Sequence, residues 1–391
     1  MPPFHPIRLQ KNPQLPRPAR PSLQFQAAVT IIASLLMLVG LIEVLTPSNA
    51  GARNSAPRVD VGISFSPQRA ESYGLDYQAS FKQLEAMRFK VIRISAYWTE
   101  VDTEGYDRLD WLLNEAASSH QPVVLTVGMK GLGWPEYFIP DDLLPANLQD
   151  GQSISRDPIV RAGSLLFLQS TVARYRANPE IVSWQVENEP FNQAGPHKWS
   201  IDRDFLAQEI QAVRELDERP VVVNAFSHFN FSLDRASQRK GFDLASLLGF
   251  DSGSVENESL QVLQAGDILG LDVYTRIGYN FLGQLSVGRA GNDWADQAGR
   301  WHAIAQKQHK TAWVMEAQAE PWEASATSFA DPRSFHPSDM IDVFNGLKEE
   351  GFTTILLWGA EYWLWRAADG DPAWLDTATA ILRGESHTQS V

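Results

Sequence analysis

The chain has 391 residues, 44% hydrophobic and 20% charged, enough for a large packed core and excluding a disordered or collagen-like chain. Its formal charge is −14, so nucleic acid is not expected as the main partner, because phosphate binding needs a basic face. It has no cysteine, which excludes disulfides, thiolate chemistry and Cys-ligated zinc, and its 13 tryptophans are heavy usage of a ring on which flat apolar ligands and sugar rings stack.

Residues 1–24 form a Pro-rich leader that carries Arg8, Lys11, Arg17 and Arg20 and no acidic residue. Residues 25–45 are apolar except for Gln26, Thr30, Ser34 and Glu43. Its cleanest run, Ala27 to Ile42, is 16 residues, short for a free-standing span of about 20 and long for the apolar part of a signal peptide. The basic leader places the N-terminus in the cytoplasm. Ser48-Asn49-Ala50 offers small residues where a signal peptidase reads. Two outcomes stay open: a cleaved signal peptide, or an uncleaved transmembrane signal anchor. Either way the remainder is expected outside the cytoplasm, with the membrane as a partner only if the segment is kept. Residues 46–57 read as linker and 58–391 as the catalytic domain.

Strand and helix then alternate. Strands are expected near residues 59–65, 90–96, 122–127, 181–186, 220–225, 267–274, 311–315 and 353–358. Helical spacing lies around 81–87, 109–117, 159–175, 205–216, 294–308, 338–350 and 374–382. The strands are short, continuously apolar and separated by helices, the mark of a parallel sheet buried on both faces. Eight such units predict a (β/α)₈ TIM barrel. An open doubly wound sheet is the competitor, but no Gly-x-Gly-x-x-Gly turn follows the first strand. The longest connections, near 131–157, 188–200, 227–266, 275–292 and 317–337, all follow strands, and in a barrel those ends build the one face that carries active sites.

The fourth strand runs into Ser183-Trp184-Gln185-Val186-Glu187-Asn188-Glu189-Pro190, and the seventh into Trp313-Val314-Met315-Glu316-Ala317-Gln318. Carboxylates at these two strand ends face each other across a barrel rim, as glycoside hydrolysis requires: one protonates the leaving oxygen, the other attacks or activates water. Glu187 competes with Glu189 for the first role. Glu320 and Glu323 compete with Glu316 for the second, although both lie past the strand.

From Trp184 to Pro190 the chain resembles the clan-A retaining glycoside hydrolases, the superfamily of many cellulases, mannanases, β-glucosidases and β-galactosidases, whose acid/base signature is Trp-x-Val-x-Asn-Glu-Pro. The segment from Tyr97 to Leu112 also resembles the region after strand two in several members. The resemblance implies a retaining β-glycosidase acting on oligo- or polysaccharide, with Glu189 as acid/base and Glu316 as nucleophile. It also implies Arg93 beneath the nucleophile, Asn188 on the sugar 2-hydroxyl, Tyr274 oriented towards the nucleophile and Trp358 under the reacting sugar. The sequence departs from the clan at Asp272-Val273-Tyr274, where His-x-Tyr is frequent, at Glu316-Ala317-Gln318, and at Gly128-Met129-Lys130, where many members carry histidine.

Other aromatic residues after strands, Trp98 and Trp134 above all, are expected as substrate-binding platforms, with Trp199, Trp322, Trp363 and Trp365 behind them. His228 follows strand five and could touch substrate. No cofactor or metal is expected: the eight histidines form no His-x-His or His-x-x-x-His pair, and no Gly-x-Ser-x-Gly elbow occurs. A carbohydrate-binding barrel without catalysis is the non-enzymatic alternative, since fold alone never establishes activity.

Overall fold

The computed structural model describes residues 58–227, 255–281, 284–323 and 329–385. The leader, the apolar segment 25–45, the linker and His228 lie outside these residues. Among the described residues no helix is long and apolar enough to cross a membrane.

Eight strands close into a parallel barrel. They are β1 (Asp60–Ser64), β2 (Ile92–Ser95), β3 (Val123–Val127), β4 (Ile181–Val186), β5 (Val221–Ser227), β6 (Ile268–Val273), β9 (Thr311–Gln318) and β10 (Thr354–Trp358). All neighbouring pairs are parallel, and β10 returns beside β1 to remove the edge. Two further strands, β7 (Arg276–Phe281) and β8 (Gln284–Arg289), pair antiparallel in the connection between β6 and β9.

The helices wrap the outside. Residues Pro67–Ser72 (α1) and Tyr77–Ala86 (α2) follow β1; Trp98–Glu104 (α3) and Asp107–Ser119 (α4) follow β2. Then come α5 (Pro158–Tyr175), α6 (Arg203–Arg214), α7 (Val255–Val262), α8 (Trp294–Lys307), α9 (Pro337–Glu349), α10 (Ala360–Ala368) and α11 (Ala373–Arg383). The expected apolar faces are the buried ones: in α4, Leu109, Leu112, Leu113 and Ala116 turn to the barrel. The start of α5 is fixed by Pro158 at its first turn and by Asp157, whose carboxylate accepts from the Ile159 and Val160 amides at 2.9 and 3.0 Å. The helices α1, α3, α7 and α10 and the β7–β8 hairpin, all within the connections, went unread.

Inside the barrel, period-two alternation stacks two unlike layers. Val91, Val124, Val222, Ile268, Met315 and Leu356 form an apolar plug. Further towards the C-terminal strand ends the interior turns polar, with Ser64, Arg93, Gln185, Asn224 and Asp272 all buried. Gly270 permits the close approach between these layers, since a Cβ there would lie 2.6 Å from both Asn224 Cβ and Met315 Cγ. The plug therefore supports a polar floor at the rim where the longest connections gather.

Candidate active site

The β4 end aims its carboxyl groups by backbone strain. Glu187 and Glu189 have φ of 59° and 46°, a region non-glycine residues seldom enter and which clusters at functional sites. Neighbouring groups over-determine the turn. The Glu187 and Asn188 amides donate to Val127 O and Lys130 O, both at 2.9 Å. The Glu189 amide donates to Asn224 Oδ1 at 2.8 Å, and the buried Lys130 ammonium donates to Glu189 O at 2.8 Å. Alternating φ sends the two glutamates to different places.

Glu187 leaves the barrel. It is fully buried, and its oxygens accept from the Met129 and Lys130 amides at 2.9 and 2.6 Å. It also pairs with Glu209 of α6. Gly128 is required for this packing: its φ is 123°, and a Cβ there would lie 2.3 Å from Glu187 Oε1. Glu189 instead enters the polar floor, almost wholly buried, with Asn192 Nδ2 donating to its Oε2 at 3.2 Å. Burial pushes its carboxyl up to about 7, the nearby Lys130 ammonium pulling the other way and Glu316 adding to the rise.

The β9 end uses a bulge. Leu271 pairs with Val314, but the next residue, Asp272, pairs with Glu316, so one extra β9 residue is inserted. That insertion lets Met315 fill the plug while Glu316, the very next residue, reaches the floor. There Arg93 forms a short ion pair with Glu316 Oε1, and the Tyr274 hydroxyl donates to Oε2 at 2.5 Å. Arg93 is itself held by Ser64 Oγ at 2.9 Å and Gln185 Oε1 at 3.2 Å. Both oxygens of Glu316 thus accept from side chains, one of them charged. Burial beside Glu316 raises the Tyr274 phenol well above its ordinary value, so it remains a donor.

One oxygen from each of Glu189, Asp272 and Glu316 lies within 4.8 Å of the other two. Such a trio could offer oxygens to a hard cation, but protein donors already take both oxygens of Glu316. Asn188 sits beside the trio, its Oδ1 accepting from Asn224 Nδ2 at 2.8 Å and Gln185 Nε2 at 3.2 Å. Trp358, half-buried at the end of β10, has its ring 5.9 Å from the Arg93 guanidinium, and its Nε1 donates to Glu320 Oε1 at 2.9 Å.

Glu189, Glu316, Arg93, Asn188, Tyr274 and Trp358 thus converge on one rim. The competing carboxyls have other partners: Glu320 is buried between Arg69 and Trp358, and Glu323 Oε1 caps the Arg333 and Ser334 amides at 2.8 and 2.7 Å. The predicted platforms separate. Trp134 is 73% exposed on the connection after β3. Trp98 is buried in α3, stacked on Phe167 at 5.7 Å, so it presents no open ring. Trp199 and Trp363 are also buried. Trp322 is 41% exposed and meets Tyr274 edge-on at 5.1 Å, which ties it to the site. Asn224, Lys130 and Asp272 are site residues that the sequence reading did not assign. Asn224 had a signal, a polar residue inside the apolar run of strand five. Asp272 and Lys130 showed only as departures from the clan pattern.

No family model matches this chain, and no curated protein matches it. Solved structures do. Gan42B, a GH42 β-galactosidase from G. stearothermophilus, is 13% identical with a TM-score of 0.52, over 85% of this chain and 57% of that one. The exo-β-1,4-mannosidase Op5Man5 from Opitutaceae bacterium strain TAV5 is 12% identical with a TM-score of 0.51, over 87% and 62%. The cold-adapted β-galactosidase from Rahnella sp. R3 is 13% identical with a TM-score of 0.50, over 78% and 51%. The chain spans between half and two thirds of each of these proteins. Its barrel has the fold of the clan-A glycoside hydrolases.

Proposed function

We propose that this chain is a retaining β-glycoside hydrolase of oligo- or polysaccharides, working by double displacement with Glu316 as nucleophile and Glu189 as acid/base. The spacing of the two carboxyl groups carries the reading. Retaining enzymes hold them about 5–5.5 Å apart, whereas inverting enzymes leave about 6.5–9.5 Å for a water; here one oxygen of each lies within 4.8 Å of the other.

The surroundings suit the two roles. Glu316, with Arg93 and Tyr274 donating to it, is equipped to attack the anomeric carbon as a carboxylate. Glu189, with its proton held up to about 7, can give it to the departing oxygen and take one from water in the second step. Asn188 is placed to bind the sugar 2-hydroxyl. Trp358, Trp322 and Trp134 offer rings for stacking. The β-galactosidase and β-mannosidase neighbours support a β-linked substrate. The basic leader and the apolar segment support action outside the cytoplasm, tethered to the membrane if that segment is kept, and fractionation of the native host tests this.

Chemical rescue tests the mechanism. Glu316→Ala should abolish turnover, falling roughly 10⁴-fold or more, and azide should partly restore it with inverted product. Glu189→Ala should mainly slow substrates with poor leaving groups, and azide should give a retained glycosyl azide. Identical behaviour of the two variants would defeat the role assignment. A wild type that binds sugar but releases none would leave the binding barrel as the better description.

A further inference from the structure

The third carboxyl group of the trio has no role in the chemistry above. Asp272 lies near the end of β6, is fully buried, and has no cation pointed at it: Arg93 donates to Ser64, Gln185 and Glu316, and Lys130 holds the backbone of Glu189 and Asn192 and pairs with Glu136. Its Oδ2 accepts from Asn224 Nδ2 at 2.5 Å, while no N–H or hydroxyl among the described residues donates to Oδ1. One of its oxygens nevertheless lies within 4.8 Å of an oxygen of Glu189 and of one of Glu316. Two carboxylates offer only acceptors, so a proton on one of them turns this close approach into a hydrogen bond.

We infer that Asp272 is a positioning residue for Glu189, carried as the neutral acid with its O–H directed at the glutamate carboxyl group; this rests on the glycosidase reading of the site. The charged groups around it agree. Glu316 from β9 and Glu189 from the β4 end both repel a charge on Asp272, Tyr274 just past β6 donates to Glu316, Arg93 from β2 is paired with Glu316, and Lys130 donates to the Glu189 backbone and pairs with Glu136. Glu187 faces away, towards the β3 end and Glu209. Burial and these two anions hold the Asp272 carboxyl well above the usual aspartate range.

The consequence is a division of protons. In the first step Glu189 gives its own proton to the leaving oxygen as the glycosidic C–O bond breaks and Glu316 bonds the anomeric carbon. The new Glu189 carboxylate is received by the Asp272 O–H, whose proton stays on aspartate. In the second step water attacks, breaks the glycosyl–Glu316 bond and returns its proton to Glu189. Asp272 thus stabilises the charged base between the two steps and never titrates.

Asparagine can imitate this neutral acid, because its amide oxygen can accept from Asn224 while its N–H₂ donates to Glu189. The Asp272→Asn enzyme should therefore keep kcat/KM within about tenfold of wild type with the alkaline limb in place, the loss matching one altered hydrogen bond. The Asp272→Ala enzyme, lacking the donor, should move that limb to higher pH and slow the second step, read as a lower kcat on activated aryl glycosides. An Asn variant that is folded yet dead, or that shifts the limb as far as Ala does, overturns the inference. So does a wild type inactivated by chelator and restored by a divalent ion. Infrared titration of ¹³C-aspartate-labelled wild type needs no activity: a protonated aspartate band at neutral pH that disappears in Asp272→Asn supports the inference, and absence of the band overturns it. If the band is present but no glycoside is cleaved, the protonation state stands and the functional reading falls.

Discussion

The ends of β4 and β9 each deliver one carboxyl group to the same floor, by opposite means and into opposite surroundings. At β4 the backbone is strained through two positive-φ glutamates, and Glu189 arrives with the Asn192 amide donating to it and an oxygen of the Asp272 carboxyl group within 4.8 Å. At β9 a bulge in otherwise regular strand turns Glu316 inward against a guanidinium and a phenol. Under the proposed reading the same side chain serves two tasks, one as a proton carrier and one as a fixed charge, and environment, not residue type, would assign the roles.

The comparison breaks most visibly if Arg93 is removed. Arg93→Met should leave Glu316 as a buried charge without a counter-ion, costing about 3–5 kcal/mol of stability, and should lower kcat/KM by at least roughly 10²-fold. Thermal unfolding with assay of the folded fraction measures both. A stable, fully active variant would show that the guanidinium is not what fits Glu316 for attack. Tyr274→Phe is gentler: a hydrogen bond to a charged group is worth about 1.5–3 kcal/mol, so a fall of about tenfold to a hundredfold in kcat/KM is expected, with KM little changed.

At the β4 end the expected readout is a pH limb and not a rate. As the proposed acid, Glu189 would have to be protonated to act, so kcat/KM should fall as pH rises through about 7. Lys130 is the charged neighbour that lowers this value. Lys130→Met should therefore move the alkaline limb upward while changing the plateau less than either β9-side substitution. A pH profile of the folded variant that coincides with wild type would separate Lys130 from the proton chemistry.

Much of this was legible in the chain, and the parts that were not have a common cause. The eight short apolar strands are written as local runs, and so is Asn188-Glu189-Pro190 as a strand end. Glu316 was legible as the residue just past a predicted strand, but simple alternation cannot put both it and Met315 on the inner face; only the bulge does that. The Asp272–Glu189 and Glu187–Glu209 contacts join residues far apart in sequence, and no local pattern announces them. Trp98 shows the reverse error. Its place after a strand fits a platform, but the turn of α3 packs its ring on Phe167, and its edge against Gly163 leaves no room for a side chain there.

The smallest effect belongs to the second carboxyl pair, and it sharpens the comparison from outside the site. Glu187 is raised from 4.5 to about 7, mainly by burial, and Glu209 is raised well above its ordinary value by burial and by Glu187. The folded protein therefore binds more protons than the unfolded chain across this range, and stability falls as pH rises. For Glu187 that contribution is fully present below its unfolded value of 4.5 and is lost as pH approaches and passes about 7. Glu209 Oε1 accepts from Ser164 Oγ at 2.8 Å, and Oε2 meets no N–H or hydroxyl donor, so the proton of the pair fits there. Glutamine at 209 can keep the Ser164 contact and place an N–H towards Glu187 without titrating. Glu209→Gln should fold, retain activity, and flatten the dependence of Tm on pH, by about 1–2 °C if about 1 kcal/mol is involved, since the roughly 2–4 °C per kcal/mol of a 150–250-residue domain shrinks in a larger one. An unchanged slope would mean that the proton is not shared there. Altered kcat/KM with normal stability would mean that this pair, on the outer side of β4, reaches the site after all.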